Sequence, residues 1–445
     1  MPEHEHRPRH ADRSHRADWW PHATAPSGPS VPSEPRDPGR PAAPPVPAPG
    51  PAPGAGPAPA PGPTASKGSP VVPPVPDRAP DPVDRPRPAR MVWSTPGDLQ
   101  GVHALSVWTE QVPGLGEDAE PFVAHHWETR QGVVAVFDGS GGAGATPAWQ
   151  RPDGAWHTGA WVASRVARLA TDCWFREVAG ETEAAGPESL HGYLSWFLAN
   201  APQRPSKIGG TMRRQLPTTL AGVHYRVREQ DATVELRPLW AGDSRAYVLS
   251  PESGLHVLTR DHTRESDALE LLRTDPPMTN VVCADREFTV DTQYIASFAL
   301  PCVLVAATDG YFGYVHTPAD FEHLLLSTLR RAHNEYEWGD LLRREVVAYT
   351  GDDASLALLA IGHQSFEHLR ALYERRFADL TGRHLRDRPR LLDRTARPAT
   401  GGEAAGDPED RREAHARVRA WQDQSWQSYR AGYETYLPPA SEEYR

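Results

Sequence analysis

An α+β fold built on antiparallel sheets is predicted by two features of this sequence. Short apolar runs ending at Gly or Asp recur after residue 91, in GVVAVFDG, TTLAGVHYRV, LRPLWAGDSRAYVLS, CVLVAATDG and ASLALLAIG, and runs of that kind bounded by turn residues read as strands. Their order is the second feature. Strands, two helical stretches, several strands, a helix and final strands follow one another without the regular alternation of a doubly wound parallel sheet.

The helical stretches declare themselves by spacing. Thr158–Val178 sets Trp161, Val162, Val166, Leu169, Ala170 and Trp174 on one stripe, and Ser189–Asn200 carries Leu190, Tyr193, Leu194 and Phe197. A third helix begins after Pro318, where Phe321, Leu325 and Leu329 recur and Leu324 widens the stripe. Beyond Gly362 the strand signal ends. Phe366–Leu380 reads as a helix, and Thr381–Ala416 is charged and broken by a Gly-rich turn. In Ala416–Leu437 the residues Trp421, Trp426, Tyr429, Tyr433 and Tyr436 approximate one helical face. Folding back over the core is the ordinary use of such a stripe, and binding a partner is the other.

The chain has 445 residues and 47 prolines, of which 27 lie in residues 1–90. That region has little to bury. Residues 41–63 form an extended polyproline-II-like tether by composition, their PxxP matches lacking the basic neighbours of an SH3-like ligand. The expected organisation is a disordered Pro/Ala/Gly-rich region over 1–90, a folded core over 91–362, and a charged linker with a helical extension over 363–445.

The formal charge of −11 argues against nucleic acid as a partner, and the basic cluster Arg383–Arg397 is interspersed with acids, as in a solvated linker. No run of 18 apolar residues occurs and Met1–His10 is charged, so neither a membrane span nor a secretory leader is expected and a cytoplasmic protein is the default. Cys173, Cys283 and Cys302 form no CxxC pair and are expected to be reduced thiols.

Four acidic places adjoin strand ends: Glu117 and Asp118 in GEDAE, Asp138 with Gly139 in VFDGSGG, Asp309 in AATDGYFG, and Asp352 with Asp353 in TGDDAS. A carboxylate just beyond an apolar strand sits on a rigid support, so acids far apart in sequence can converge on a cleft. Oxygen ligands of this type suit Mg²⁺ or Mn²⁺. One Asp-Gly pair alone marks a β-turn, and four such places in one domain favour a metal site.

Taken in order, GEDAE, VFDGSGG, LPTTLAG, WAGDSRAYVLS, LTRDHT, ATDGYFGYV and GDDASLALL make the stretch from about Gly101 to Gly362 resemble the PPM/PP2C family of metal-dependent serine/threonine protein phosphatases. The resemblance implies a central β-sandwich of antiparallel sheets flanked by helices, with two Mn²⁺ or Mg²⁺ ions at one edge. It implies that Asp138 bridges both ions, that the Gly139 carbonyl ligates one, and that Asp309 and Asp352 complete the carboxylate ligands. It further implies that Asp118 with Glu117 helps hold a metal and its waters, and that Asp353, where the family commonly has Asn, supports the ligands from behind. Asp243 and Arg245, in the GDSR segment, read as an Arg–carboxylate pair organising the sheet edge. The implied reaction is hydrolysis of phosphoserine or phosphothreonine in a protein by metal-activated water, with a kinase-regulated partner as the signalling context. No cysteine sits in a CxxxxxR loop, which argues against a cysteine-dependent route.

Two positions depart from the family pattern. Ser140 stands where the family commonly has a histidine, and serine has no proton of near-neutral pKa to give. Pro113 stands where it usually has a phosphate-binding arginine, four residues before Glu117. Arg130, Arg213 or Arg214 are the candidate substitutes. The alternative to catalysis is a catalytically impaired phosphoprotein-binding or regulatory module on the same fold, and an assembly role for the two ends of the chain is a third reading.

Overall fold

A computed structural model describes residues 101–179, 186–203, 214–389 and 408–440. The tether expected over 1–90 and residues 390–407 of the expected linker lie outside the described residues. In chain order the strands are β1 (Val102–Thr109), β2 (Phe122–His126), β3 (Gln131–Val136), β4 (Pro147–Gln150), β5 (Trp156–Thr158), β6 (Leu220–Arg228), β7 (Thr233–Ala241), β8 (Arg245–Ser250), β9 (Gly254–Val257), β10 (Asp291–Thr292), β11 (Ile295–Ala299), β12 (Cys302–Ala307) and β13 (Ala354–Ile361). The helices are α1 (Gly141–Gly144), α2 (Gly159–Val178), α3 (Pro187–Ala199), α4 (Ala268–Thr274), α5 (Asp309–Phe312), α6 (Pro318–Arg331), α7 (Glu335–Val347), α8 (Phe366–Arg383) and α9 (Pro408–Tyr433).

Two sheets carry the architecture, one ordered β1-β13-β12-β8-β9 and the other β10-β7-β6-β3-β2, with β11 also on β7. Every pairing is antiparallel. The period-2 alternation of strand side chains makes four layers out of these two sheets. On β3, Val134 and Val136 face the other sheet, where they meet Leu304 and Ala306 of β12 and Leu359 of β13. Their neighbours Val133 and Ala135, with Phe137 just beyond the strand, turn outward to the core of α2 and α3. On β12, Val303, Val305 and Ala307 turn outward on the other side, to the helices that follow. This is the expected α+β sandwich flanked by helices.

Local signals set the helix ends. Thr158 caps α2 by accepting from Trp161 N at 3.1 Å, Thr317 and Asp320 form a capping box at α6, and Ser365 caps α8. The structure adds helices to the expected element order, namely the one-turn α1 and α5, the short α4 between β9 and β10, and α7. The longest of these, α7, capped by Asn334, stands between α6 and β13, and β13 is the only strand after it among the described residues. Its buried positions Trp338, Leu342 and Val346 sit among six charged residues, which hide the stripe.

The aromatic stripe of α9 folds back. Trp421, Trp426, Tyr429 and Tyr433 are buried in the same core as α6, α8 and the outer face of β12 and β13. Tyr436, just past the helix, packs edge-on against His256 and Phe298 at 5.3 and 5.6 Å. Cys283 and Cys302 are buried, Cys173 is half-buried, and all three are free thiols. Among the described residues no helix is long and apolar enough to cross a membrane.

Candidate active site

Strand direction brings the acids together. β13 runs against β1 and β12, pairing Ala354 with Thr109 and Leu356 with Ala307. The ends of β1 and β12 and the start of β13 therefore share one edge. In the second sheet Val136 pairs with Ala221 and Ala241 with Leu220, so β3 and β7 also end together. The turn from β7 into β8 joins the two edges, because Arg245 at the start of β8 pairs with Ala307. Asp118, Asp138, Asp243 and Asp352 stand in the loops at this end, and Asp309 opens the one-turn helix α5 there.

Several of the acids and their loops are fixed from behind. Asp118, 1% exposed, accepts from the Thr308 hydroxyl at 2.9 Å, and that hydroxyl also takes Ser355 N at 2.9 Å. The Asp138 carbonyl accepts from Thr219 N at 2.8 Å and from the Thr218 hydroxyl at 2.6 Å. Glu117 accepts from the Thr158 hydroxyl, the same group that caps α2. Its carbonyl and that of Gly116 each accept from Arg165 at 2.9 Å, whose guanidinium lies 4.3 Å from the Trp161 ring centre. Asp353 fastens the loop from residue 110 to 117, one oxygen accepting from Gln111 N at 2.8 Å and the other from Glu117 N at 2.6 Å. Gly139 is confined too, since a Cβ there would lie 2.6 Å from the Glu117 carbonyl and 2.7 Å from that of Ala160.

The electrostatics are those of crowded acids. Burial, then the charges of Asp353 and Asp309, push Asp118 up to about 8 against the Thr308 hydrogen bond. Burial, then Asp352 and Asp275, push Asp309 up to about 6, and its side chain lies within hydrogen-bonding reach of Asp138. Asp138 and Asp243 are raised well above the carboxylate range, first by burial and then by their acidic neighbours. Glu117 and Asp352 are raised for the same reasons.

Asp243 and Arg245 do not pair with one another as the sequence suggested. Arg245 makes a two-pronged ion pair with Asp261 at 2.8 and 2.7 Å, which leaves Asp243 among the acids with its Oδ1 buried and unpartnered. A cleft of about 170 Å³ opens here, lined by Asp243, Arg245, Asp261, Asp275, Asp309 and Tyr314 among others. Tyr314 lies within the ATDGYFGYV motif, though not among the candidate residues, and Asp275 has no sequence signal. Asp275 ends the short helix α4 with φ 41°, and only the fold carries it to Asp309. Ser140 Oγ is buried and unpartnered, while Pro113 lies in an exposed loop with Val112 and Leu115. Of the arginines considered for its place, Arg130 is at the far end of β3, paired with Glu229 at 2.5 Å, and Arg213 lies outside the described residues. Arg214 donates its N–H to Ala143 O at 3.3 Å, which sets its backbone beside α1.

The donor set fits a hard divalent cation. It is all oxygen, it runs from the buried Asp118 through the half-buried Asp138, Asp243 and Asp309 to the exposed Asp352, it concentrates negative charge, and it includes an orphaned carboxylate oxygen. Among the described residues no three His, Cys, Asp or Glu side chains form a metal cage by themselves. An ion here would be held by one or two carboxylates with water completing its shell, as Mg²⁺ commonly is.

No family model matches this chain, and no curated protein matches it. Solved structures do. The serine/threonine phosphatase Stp1 from Staphylococcus aureus is 18% identical, with 60% of this chain and 96% of that one covered and a TM-score of 0.42. The serine/threonine phosphatase PstP/Ppp of Mycobacterium tuberculosis is 15% identical over 59% of this chain and 99% of that one, TM-score 0.38. The catalytic domain of PstP in complex with two manganese ions is 15% identical over 58% and 97%, TM-score 0.36. These are likenesses of fold.

Proposed function

We propose that the chain is a metal-dependent protein phosphatase that hydrolyses phosphoserine or phosphothreonine at the acid edge. The observation that supports this most directly is the gathering of Asp118, Asp138, Asp243, Asp309 and Asp352 at one end of the sandwich with no ion pair to any of them among the described residues, Arg245 being committed to Asp261. In this reading Asp138, Asp309, Asp352, Asp118 and the Gly139 carbonyl hold two Mn²⁺ or Mg²⁺ ions, in agreement with the motif resemblance. Bound there, the ions supply charge neutralisation at the phosphoryl oxygens and a water of lowered pKa.

The chain's own residues do the positioning. Thr308, Thr158, Arg165 and Asp353 lock the acid-bearing loops through the hydrogen bonds described above, so little reorganisation is left for the reaction. What the site does not offer is a guanidinium at position 113 or a group of near-neutral pKa at position 140. With neither group present, leaving groups of low pKa would be favoured over serine and threonine alkoxides. Those same two residues support the second reading, a module of this fold that binds phosphoproteins without turning them over.

Manganese-dependent phosphate release from a phosphothreonine peptide tests the proposal. The wild type should release phosphate, and Asp138→Asn should lose at least about 100-fold in rate. Equal rates in the two proteins would end the phosphatase reading. Peptide binding without release by the wild type would favour the second.

A further inference from the structure

We propose that α9 is an intramolecular clamp that holds α4 against the acid cleft, and that Asp267, Arg273 and Asp423 are positioning residues for it. The proposal rests on the phosphatase reading only for its catalytic consequence. Helix α4 has seven residues and buries only Ala268 and Leu269, too little to fix a helix below the length at which isolated helices persist. Its position therefore comes from its neighbours, and α9 grips both of its ends.

At the N-terminal end a single carboxylate does two jobs. Asp267 Oδ1 caps α4, accepting from Leu269 N at 2.9 Å and Glu270 N at 3.2 Å. Its Oδ2 accepts from Trp426 Nε1 at 3.1 Å and Arg430 Nη1 at 2.8 Å, both from α9. At the C-terminal end Arg273 donates to Asp423 Oδ1 at 2.8 Å and to Gln422 Oε1 at 3.2 Å. Gln422 in turn donates to His316 O at 2.9 Å, two residues beyond Tyr314. Held by these ties, α4 and the turn that ends it deliver Leu271, Leu272, Asp275 and Pro276 to the cleft that Asp243, Asp309 and Tyr314 also line. The charge of Asp275 is felt by both Asp309 and Asp352. Whatever moves α9 moves this wall of the cleft.

A charge swap in the full chain tests the clamp. Arg273→Asp and Asp423→Arg each place like charges at the C-terminal tie, and the double variant restores an opposite pair. In each single variant the amides of Leu269–Thr274 should exchange hydrogen about tenfold faster. The KM for a phosphothreonine peptide should rise about tenfold with kcat within about twofold, while p-nitrophenyl phosphate, too small to span the rim, keeps its KM. The double variant should restore both exchange and KM. Arg417→Gln removes a pair with Glu413 elsewhere on α9 and should change neither. Unchanged α4 exchange in both single variants, failure of the swap to restore the wild-type KM, or an equal effect of Arg417→Gln would overturn the proposal. A wild type without turnover would end the phosphatase reading and leave the exchange measurement to decide the clamp.

Discussion

Glu322 on α6 and Asp243 at the acid edge are both carboxylates with oxygens sealed from solvent, and their surroundings could hardly differ more. Glu322 is fully buried and fully answered. Arg376 of α8 reaches it with two prongs at 2.6 and 2.7 Å, and the Tyr429 hydroxyl of α9 donates at 2.6 Å. Gly254, with φ +86°, leaves room for the guanidinium that a Cβ would strike. Asp243 has an unpartnered Oδ1, acidic neighbours, and an arginine two residues on that is spent on Asp261. A buried charge that the protein pairs for itself is architecture, tying three helices together. A group of partly buried acids that it leaves unpaired calls for a cation from outside.

The largest effect expected from this contrast is on the paired side. Arg376→Ala strips the cation from Glu322 and should cost about 3–5 kcal/mol in urea denaturation, the usual result of leaving one member of a buried pair alone. It should leave Mn²⁺ binding intact. A loss no greater than the roughly 1 kcal/mol of a surface pair would erase the distinction drawn between the two sites.

An intermediate effect comes from groups buried in the neutral state. Burial drives His224 down to about 4 and His363 to about 3, the first also by Arg237 and the second also by His368. Both are nearly inaccessible, and His224 Nε2 and both ring nitrogens of His363 lack partners. Unfolded, each binds a proton near 6.5, while folded it refuses one until the pH is far lower. The unfolded state therefore takes up more protons, and stability should fall as pH drops from about 6.5 toward 4, by on the order of 2 kcal/mol per histidine. Denaturation midpoints across that window check it, and His224→Gln should flatten the slope. A slope unchanged by the substitution would show that His224 is not held neutral.

How much of this was legible in the sequence follows from how local each feature is. Acids such as Asp138 and Asp309 could be read because each follows its own apolar strand within a few residues. The fate of Asp243 could not. Its expected partner Arg245 is claimed by Asp261, 16 residues further on, which the β8–β9 hairpin brings back, pairing Tyr247 with Val257 and continuing through Ala246 N to Thr259 Oγ1 at 3.1 Å. Arg165 behind Glu117 bridges 48 residues, and α4 is too short for a helical period to show. The aromatic stripe of α9 was legible as a stripe, but its grip on α4 depends on Asp267 and Arg273, whose charges look like ordinary surface residues in one dimension.

The smallest effect has the opposite sign. Asp243→Asn keeps the shape of the side chain and removes one negative charge from a group of acids that repel one another, so in metal-free buffer it should stabilise the fold by about 1 kcal/mol. Wild type should recover more than that from the ion itself. Mn²⁺ at a hundred times its dissociation constant adds about 2.7 kcal/mol to any protein that binds it only when folded, and Asp243→Asn should gain less because the site has lost charge. Denaturation with and without Mn²⁺ reads both numbers from one pair of proteins. If the variant were destabilised without metal, Asp243 would be a structural partner whose hydrogen bond Asn cannot replace, and the acid edge would belong with Glu322 after all. If Mn²⁺ stabilised neither protein, the unpaired carboxylates would need a different explanation from metal binding.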